Sequence, residues 1–268
     1  MSTPEPPTAS KFGQLRAWAQ QQLRAIDREH QVESLPDGKA AWILVTAALA
    51  LVIPRYFGTP SAFSRAEWLV SAFSGFPYPD LHPHLYWCFF KLLHYGVLPY
   101  LCIRFVLRRR LRDHGFHFTW EPKVWLLYLG MLAIVLPLTA LAARTDSFLA
   151  TYPKYPNAGQ SLPQLLIWDL AYAFQFLMIE FFFRGFLIFS LARYVGSLAI
   201  FIMVIPYAMI HLNKPLLECL GSIITGIVLG TVALRTRSIY GGVVVHSAVA
   251  WAMDLFAIAQ KGQIHNLF

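Results

Sequence analysis

The chain has 268 residues, of which 57% are hydrophobic, 15% aromatic and only 13% charged. A soluble domain carries about 25% charged residues, so with a mean hydropathy of +0.50 the composition excludes an ordinary soluble fold and indicates an all-α, polytopic helical membrane bundle. The net charge of +8 does not point to nucleic acid, because the basic residues collect at the ends of apolar segments, where membrane topology accounts for them.

Met1 to Ser10 is rich in Pro, Ser and Thr and is expected to be disordered. Residues 1–39 contain no apolar core of a signal peptide, so the segment reads as a cytoplasmic tail and the first span as the targeting signal. Within it, Lys11 to Glu33 reads as a helix with Leu15, Trp18, Ala19, Leu23 and Ile26 at helical spacing. That pattern suits an interfacial helix and an ordinary solvated helix equally. The first span is expected over Ala41 to Phe57, followed by a short amphipathic surface segment over Ser61 to Phe76. Pro77 to His84 reads as a rigid loop; its two histidines lack further ligands nearby, which argues against a metal there. The second span, Leu85 to Leu107, contains Lys91, His94 and Arg104, which must face protein, water or the interface.

Arg108, Arg109, Arg110 and Arg112 follow at once and mark the cytoplasmic side; the same run suits anionic lipid. The third span is expected over Val124 to Ala143. The fourth, Leu165 to Ala192, exceeds the roughly 20 residues that a span needs, so it must tilt or begin at the interface. The fifth runs Ser197 to Leu212 and the sixth Leu216 to Leu234. Ser222, Gly226 and Gly230 in the sixth form a small-residue stripe for close helix contact. The seventh runs Ile239 to Ala259. About seven spans with the arginine run inside put the N-terminus in the cytoplasm. Lys39, Lys123, Arg193, Arg235 and Arg237 then also lie inside, against the sparser Arg55, Arg65, Arg144, Lys154, Lys214 and Lys261 outside. Cys88, Cys102 and Cys219 fall in apolar segments without a CxxC pair and read as free thiols.

Four ionisable residues of the last four spans carry chemistry: Glu180, Arg184, His211 and His246. Glu180 and Arg184 are four apart and share a helix face, so they can pair. A charge at membrane depth is costly unless it is paired or faces a cavity. Asp169, eleven residues before Glu180, returns to the same face, and Asp254 follows His246 by eight residues. Two imidazoles and a carboxylate suffice to position and deprotonate a water; the set Glu180, His211 and His246 could equally hold zinc. No HExxH and no GxSxG occurs. The bland alternative is a structural ion pair. The phenylalanines at 181–183 read as a lipid- or helix-packing surface.

Glu180-x-x-x-Arg184-Gly185, then Tyr207-x-x-x-His211, then His246, resemble the three motifs of the CAAX-protease and bacteriocin-processing (CPBP) family of intramembrane proteases. The resemblance covers about Leu165 to Leu255, within a C-terminal unit at 161–268 preceded by N-terminal membrane helices at 40–160. It implies an intramembrane endopeptidase that cleaves a membrane, lipidated or exported protein near its C-terminus or at the membrane border. In that reading Glu180 is the base, His211 and His246 orient the water or stabilise the oxyanion, and Arg184 fixes Glu180. Asp169 or Asp254 would lend support. The family has been described as both metallo- and glutamate-type, so zinc stays open. A bacterial inner-membrane location with the bilayer as the setting is likewise implied. The sequence departs from the pattern at Ile179, where the family has its first glutamate, and at Ala250, where it has Asn or Asp. The alternatives are a catalytically inactive scaffold of the same fold and, less well supported because no inverted repeat is present, a transporter.

Overall fold

The computed structural model describes residues 11–29 and 38–268; the expectations for residues 1–10 and 30–37 fall outside the described residues. The elements are α1 (Lys11–Glu29), α2 (Lys39–Phe57), the short α3 (Pro60–Arg65) and α4 (Glu67–Phe73), and α5 (His82–Val106). Then come α6 (Pro122–Ala142), α7 (Leu162–Val195), α8 (Leu198–Met209), α9 (Leu216–Thr236) and α10 (Tyr240–Gln260). Among the described residues there is no strand.

Six of these helices, α2, α5, α6, α7, α9 and α10, are long and apolar enough to cross a membrane, and the protein is a multi-pass helical bundle. The expected fifth span is the exception. Its helix, α8, has 12 residues, roughly 18 Å at the α-helical rise, well short of a ~30 Å hydrocarbon core. The apolar run is bounded by Gly196, whose φ of +54° ends α7, and by the turn His211-Leu212-Asn213-Lys214 before Pro215. The turn at Gly196 is tied to α1: Asp27 accepts the Ser197 backbone N–H at 2.7 Å, and a Cβ on Gly196 would collide with that carboxylate. Ile26 beside it is fully buried, whereas Leu15 and Trp18 are exposed. Thus the C-terminal turn of α1 docks on the bundle.

The long fourth apolar segment is explained by position. Of its most apolar window 83% is buried, against 11% for α6. So α7 is the central helix that the others surround. Phe181, Phe182 and Phe183 are all buried; Phe182 stacks on Tyr95 at 4.6 Å and Phe183 meets Tyr207 edge-on at 5.1 Å. Of the two readings of this run, helix packing is the one realised. Two ends of the bundle are held by loops. At one, Ile239 N–H donates to the Gly115 carbonyl and Ser190 meets His114. At the other, Tyr152 donates to Glu218, and Lys154 N–H donates to Asp254.

The loop expected over Pro77 to His84 is shorter than that, because His82 opens α5 and Pro83 occupies its first turn, where a missing N–H is harmless. His82 bonds the Pro77 carbonyl and His84 that of Asp80, so both rings serve the local backbone. Inside α5, Lys91 lies over the Trp87 and Tyr95 rings and His94 is buried against Tyr95. Arg104 is exposed.

Candidate active site

The site is built on a change of helical pitch. Directly after Glu180, α7 widens into a π-helical stretch, Phe181–Ile188, that carries Arg184. Such wide turns recur at functional sites. Glu180 and Arg184 are both buried, 1% and 0% exposed, and pair through Oε1 and Nη1 at 2.9 Å. Glu180 Oε1 also faces His246 Nδ1 at 2.5 Å. The other ring nitrogen, Nε2, lies 2.7 Å from the Tyr207 hydroxyl. With a carboxylate at Nδ1, the partners assign the proton to Nδ1 and make Nε2 the acceptor from Tyr207. Phe176 stacks on the His246 ring, and the Arg184 guanidinium lies 4.3 Å over the Tyr207 ring. Of the charged chain only His246 is partly open, 17% exposed at its side chain.

His211 does not touch Glu180 or His246. Its Nδ1 lies 2.7 Å from the Tyr207 backbone carbonyl, which needs an N–H there and leaves Nε2 as a lone-pair acceptor. The Tyr207 ring lies between the two imidazoles, 4.8 Å from His211 and 6.1 Å from His246. Packing of α8 against α10 thus brings the two histidines to opposite sides of one aromatic ring.

Two further residues take part that the motif reading gave no role. Tyr207, noted from sequence only as the aromatic of a motif, bridges Arg184 and both histidines. Gly242 is the second. A Cβ there would fall onto Glu180 Oε2, and one on the adjacent Gly241 onto the Tyr128 ring. The tandem Gly241-Gly242, one turn before His246, was the visible signal for this close approach. Glu180 Oε2 and Arg184 Nε and Nη2 are buried without a hydrogen-bond partner.

The acidic residues read as possible support lie elsewhere. Asp254 accepts Trp168 Nε1–H at 2.7 Å and Lys154 N–H at 2.9 Å, so its two oxygens tie α10 to α7 and to the loop that carries Lys154. The Asp169 carbonyl takes Trp251 Nε1–H, and its carboxylate Oδ1 has no partner. Ile179 and Ala250, at the two departures from the motifs, are buried in apolar clusters. As for zinc, no group of three His, Cys, Asp or Glu among the described residues is arranged to hold a metal. His246 has Glu180 on Nδ1 and Tyr207 on Nε2, and Glu180 Oε1 is taken by Arg184 and His246, so this arrangement of the set does not form a three-ligand centre.

Residues 161–252 match the family model described as Rce1-like, type II CAAX prenyl endopeptidase. No curated protein and no solved structure matches the chain. The matched stretch holds Glu180, Arg184, Tyr207, His211 and His246 and stops short of Asp254. Residues 161–252 therefore carry an Rce1-like domain, the domain type of the CPBP family.

Proposed function

We propose that the protein is an intramembrane endopeptidase that hydrolyses a peptide bond near the C-terminus, or at the membrane border, of a membrane, lipidated or exported protein. The observation that carries this reading is the continuous chain Arg184–Glu180–His246–Tyr207. The sequence made Glu180 the base; the geometry favours His246 Nε2, the more open atom, with Glu180 acting through it. Glu180 holds Nδ1–H and stabilises the imidazolium that forms, in the manner of a carboxylate behind a catalytic histidine. Arg184 pairs with that carboxylate and fixes its place.

A water displaces Tyr207 from Nε2 and gives His246 a proton as its oxygen attacks the scissile carbonyl carbon. The freed Tyr207 hydroxyl donates to the oxyanion. His211 Nε2, an acceptor, orients the second water proton. The C–N bond then breaks, His246 returns the proton to the leaving nitrogen, and a carboxylic acid and an amine depart, the acid then giving its proton to the amine. No metal enters these steps. The basic bias of the segment ends supports a cytoplasmic N-terminus; a bacterial inner membrane rests on the family resemblance alone.

The test is hydrolysis of a prenylated CAAX-ended peptide by the protein reconstituted in vesicles. Wild type is expected to cleave, and His246→Ala and Glu180→Gln to lose at least about 100-fold in kcat/KM. Folded variants that keep the wild-type rate would overturn the proposal. The buried apolar Ile179 and Ala250 favour a second reading, a scaffold of the same fold without activity, for which wild type and variants would be equally inert.

A further inference from the structure

Lys91 stands ten residues into α5, ~14 Å along its axis, in a helix long and apolar enough to cross a membrane. Its ammonium lies 5.3 Å over the Trp87 ring and 5.1 Å over the Tyr95 ring, and among the described residues no carboxylate pairs with it. Arg184 and Lys214, by contrast, each hold a glutamate. A cation at membrane depth for which the protein supplies no anion points to a function.

The backbone repeats at Lys91 what it does at Glu180. Directly after Lys91, α5 widens into a π-helical stretch, Leu92–Val97, as α7 does directly after Glu180. Such turns gather at functional sites. The two wide stretches pack together, with Tyr95 stacked on Phe182. Gln175 is a further polar group at this level. It lies between Phe174, which meets Phe89, and Met178, which a Cβ on Gly96 would touch, so α7 brings it to the height of Lys91. It is buried, and its Oε1 has no partner.

Two rows of rings lead from Lys91 to the Glu180 site. One runs Trp87, Tyr172, Phe176, His246 in steps of 6.1, 4.8 and 5.4 Å. The other runs Tyr95, Phe183, Tyr207 in steps of 5.9 and 5.1 Å. They converge, because the Tyr207 hydroxyl meets His246 Nε2. The rings form one wall with an unpaired cation at one end and the proton-transfer pair at the other. A peptide laid along it in extended form advances ~3.5 Å per residue, so its end reaches Lys91 within a few residues of the scissile bond.

We propose that Lys91 binds the C-terminal carboxylate of the substrate and thereby sets how far from the chain end the cut falls. This role rests on the peptidase reading above. A free carboxylate is costly to bring to this depth and the ammonium costly to keep there, and pairing offsets both. The two ring faces hold the ammonium by cation–π attraction while the substrate is absent. A chain whose carboxylate is blocked leaves Lys91 unpaired and is bound less well.

The probe is the prenylated CAAX-ended peptide, with a free C-terminal carboxylate or as its amide, and binding to the full chain in vesicles is measured separately from cleavage. Wild type is expected to bind the acid at least about tenfold tighter than the amide. Lys91→Met, which keeps an unbranched stem against the rings without the charge, is expected to abolish the difference. Lys91→Arg is expected to retain it. Lys154→Met removes a cation that lies over the Tyr152 ring in the loop before α7, and is expected to leave the difference unchanged. Should Lys91→Met fail to fold, Lys91→Gln replaces it. Wild type that binds acid and amide alike, a preference that survives in Lys91→Met, or one lost equally in Lys154→Met overturns the proposal. Acid-selective, Lys91-dependent binding without cleavage keeps the carboxylate site and overturns the peptidase reading instead.

Discussion

Glu180 and Asp254 are both buried carboxylates in one bundle, and they are treated differently. Asp254 has a neutral donor on each oxygen, the Trp168 indole and the Lys154 amide, and joins α10 and α7 to a loop. Glu180 takes a guanidinium and an imidazole on one oxygen and leaves the other unpartnered. A carboxylate whose hydrogen bonds are complete braces a fold. One that holds a titratable ring in place, with donors and an acceptor to spare around it, is equipped for proton transfer. The contrast predicts that substitutions at Glu180 are read in rate and those at Asp254 in stability.

The largest effect sharpens the Glu180 side. Glu180→Gln keeps the shape but loses the charge that stabilises a His246 imidazolium, and is expected to lower kcat at least about 100-fold. Gly242→Ala tests the same carboxylate from α10. Its Cβ must displace Glu180 Oε2, so kcat should fall at least about tenfold, whereas Gly241→Ala pushes on Tyr128 and should cost about 1–3 kcal/mol of stability by overpacking. If Gly242→Ala leaves kcat untouched, the close approach of α10 to Glu180 has no functional weight. Tyr207→Phe retains the ring under Arg184 but removes the oxyanion donor, so a fall in kcat of about 100-fold is expected.

On the other side, Asp254→Ala leaves the Trp168 indole and the Lys154 amide without an acceptor. Each buried orphan costs about 1–3 kcal/mol, so thermal or denaturant unfolding should register a loss of about 3 kcal/mol. The activity that remains per folded molecule should exceed that of Glu180→Gln. The opposite ranking would place Asp254 in the chemistry and break the comparison.

The helical spans were legible because apolar runs are local, and the Glu180–Arg184 pair was legible because four residues make one helical turn. What sequence could not carry was depth. Asp254 is eight residues from His246, ~12 Å along α10, and Asp169 is eleven from Glu180, ~16 Å along α7. Sharing a face therefore did not bring them to the site. The turn that starts α8 is held by Ser197 N–H on Asp27 of α1, a contact 170 residues apart in the chain. Tyr207 bridges its partners only once α7, α8 and α10 are packed, and no spacing encodes that. Ile179 and Ala250 were visible as departures, and their burial in apolar clusters shows that packing has taken over both positions.

The smallest effect expected belongs to a third carboxylate, outside the membrane spans. Asp80 accepts the Tyr155 hydroxyl at 2.5 Å and the Asn157 amide at 2.6 Å, and so ties the loop before α5 to the loop before α7. Burial alone would raise its pKa, but these two donors outweigh it and hold the carboxyl below its ordinary value. A depressed carboxylate contributes stability that is full above its unfolded-state pKa, about 3.9, and is lost as pH falls through the lower folded value. Unfolding measured below about pH 4 should therefore show a stability that declines with acid, and Asp80→Asn should flatten that decline while changing little at neutral pH. The group is largely solvated, so the change should be smaller than that of Asp254→Ala. An acid decline that is just as steep in the variant would assign it to other carboxylates, and Asp80 would then be no more than a polar contact between two loops.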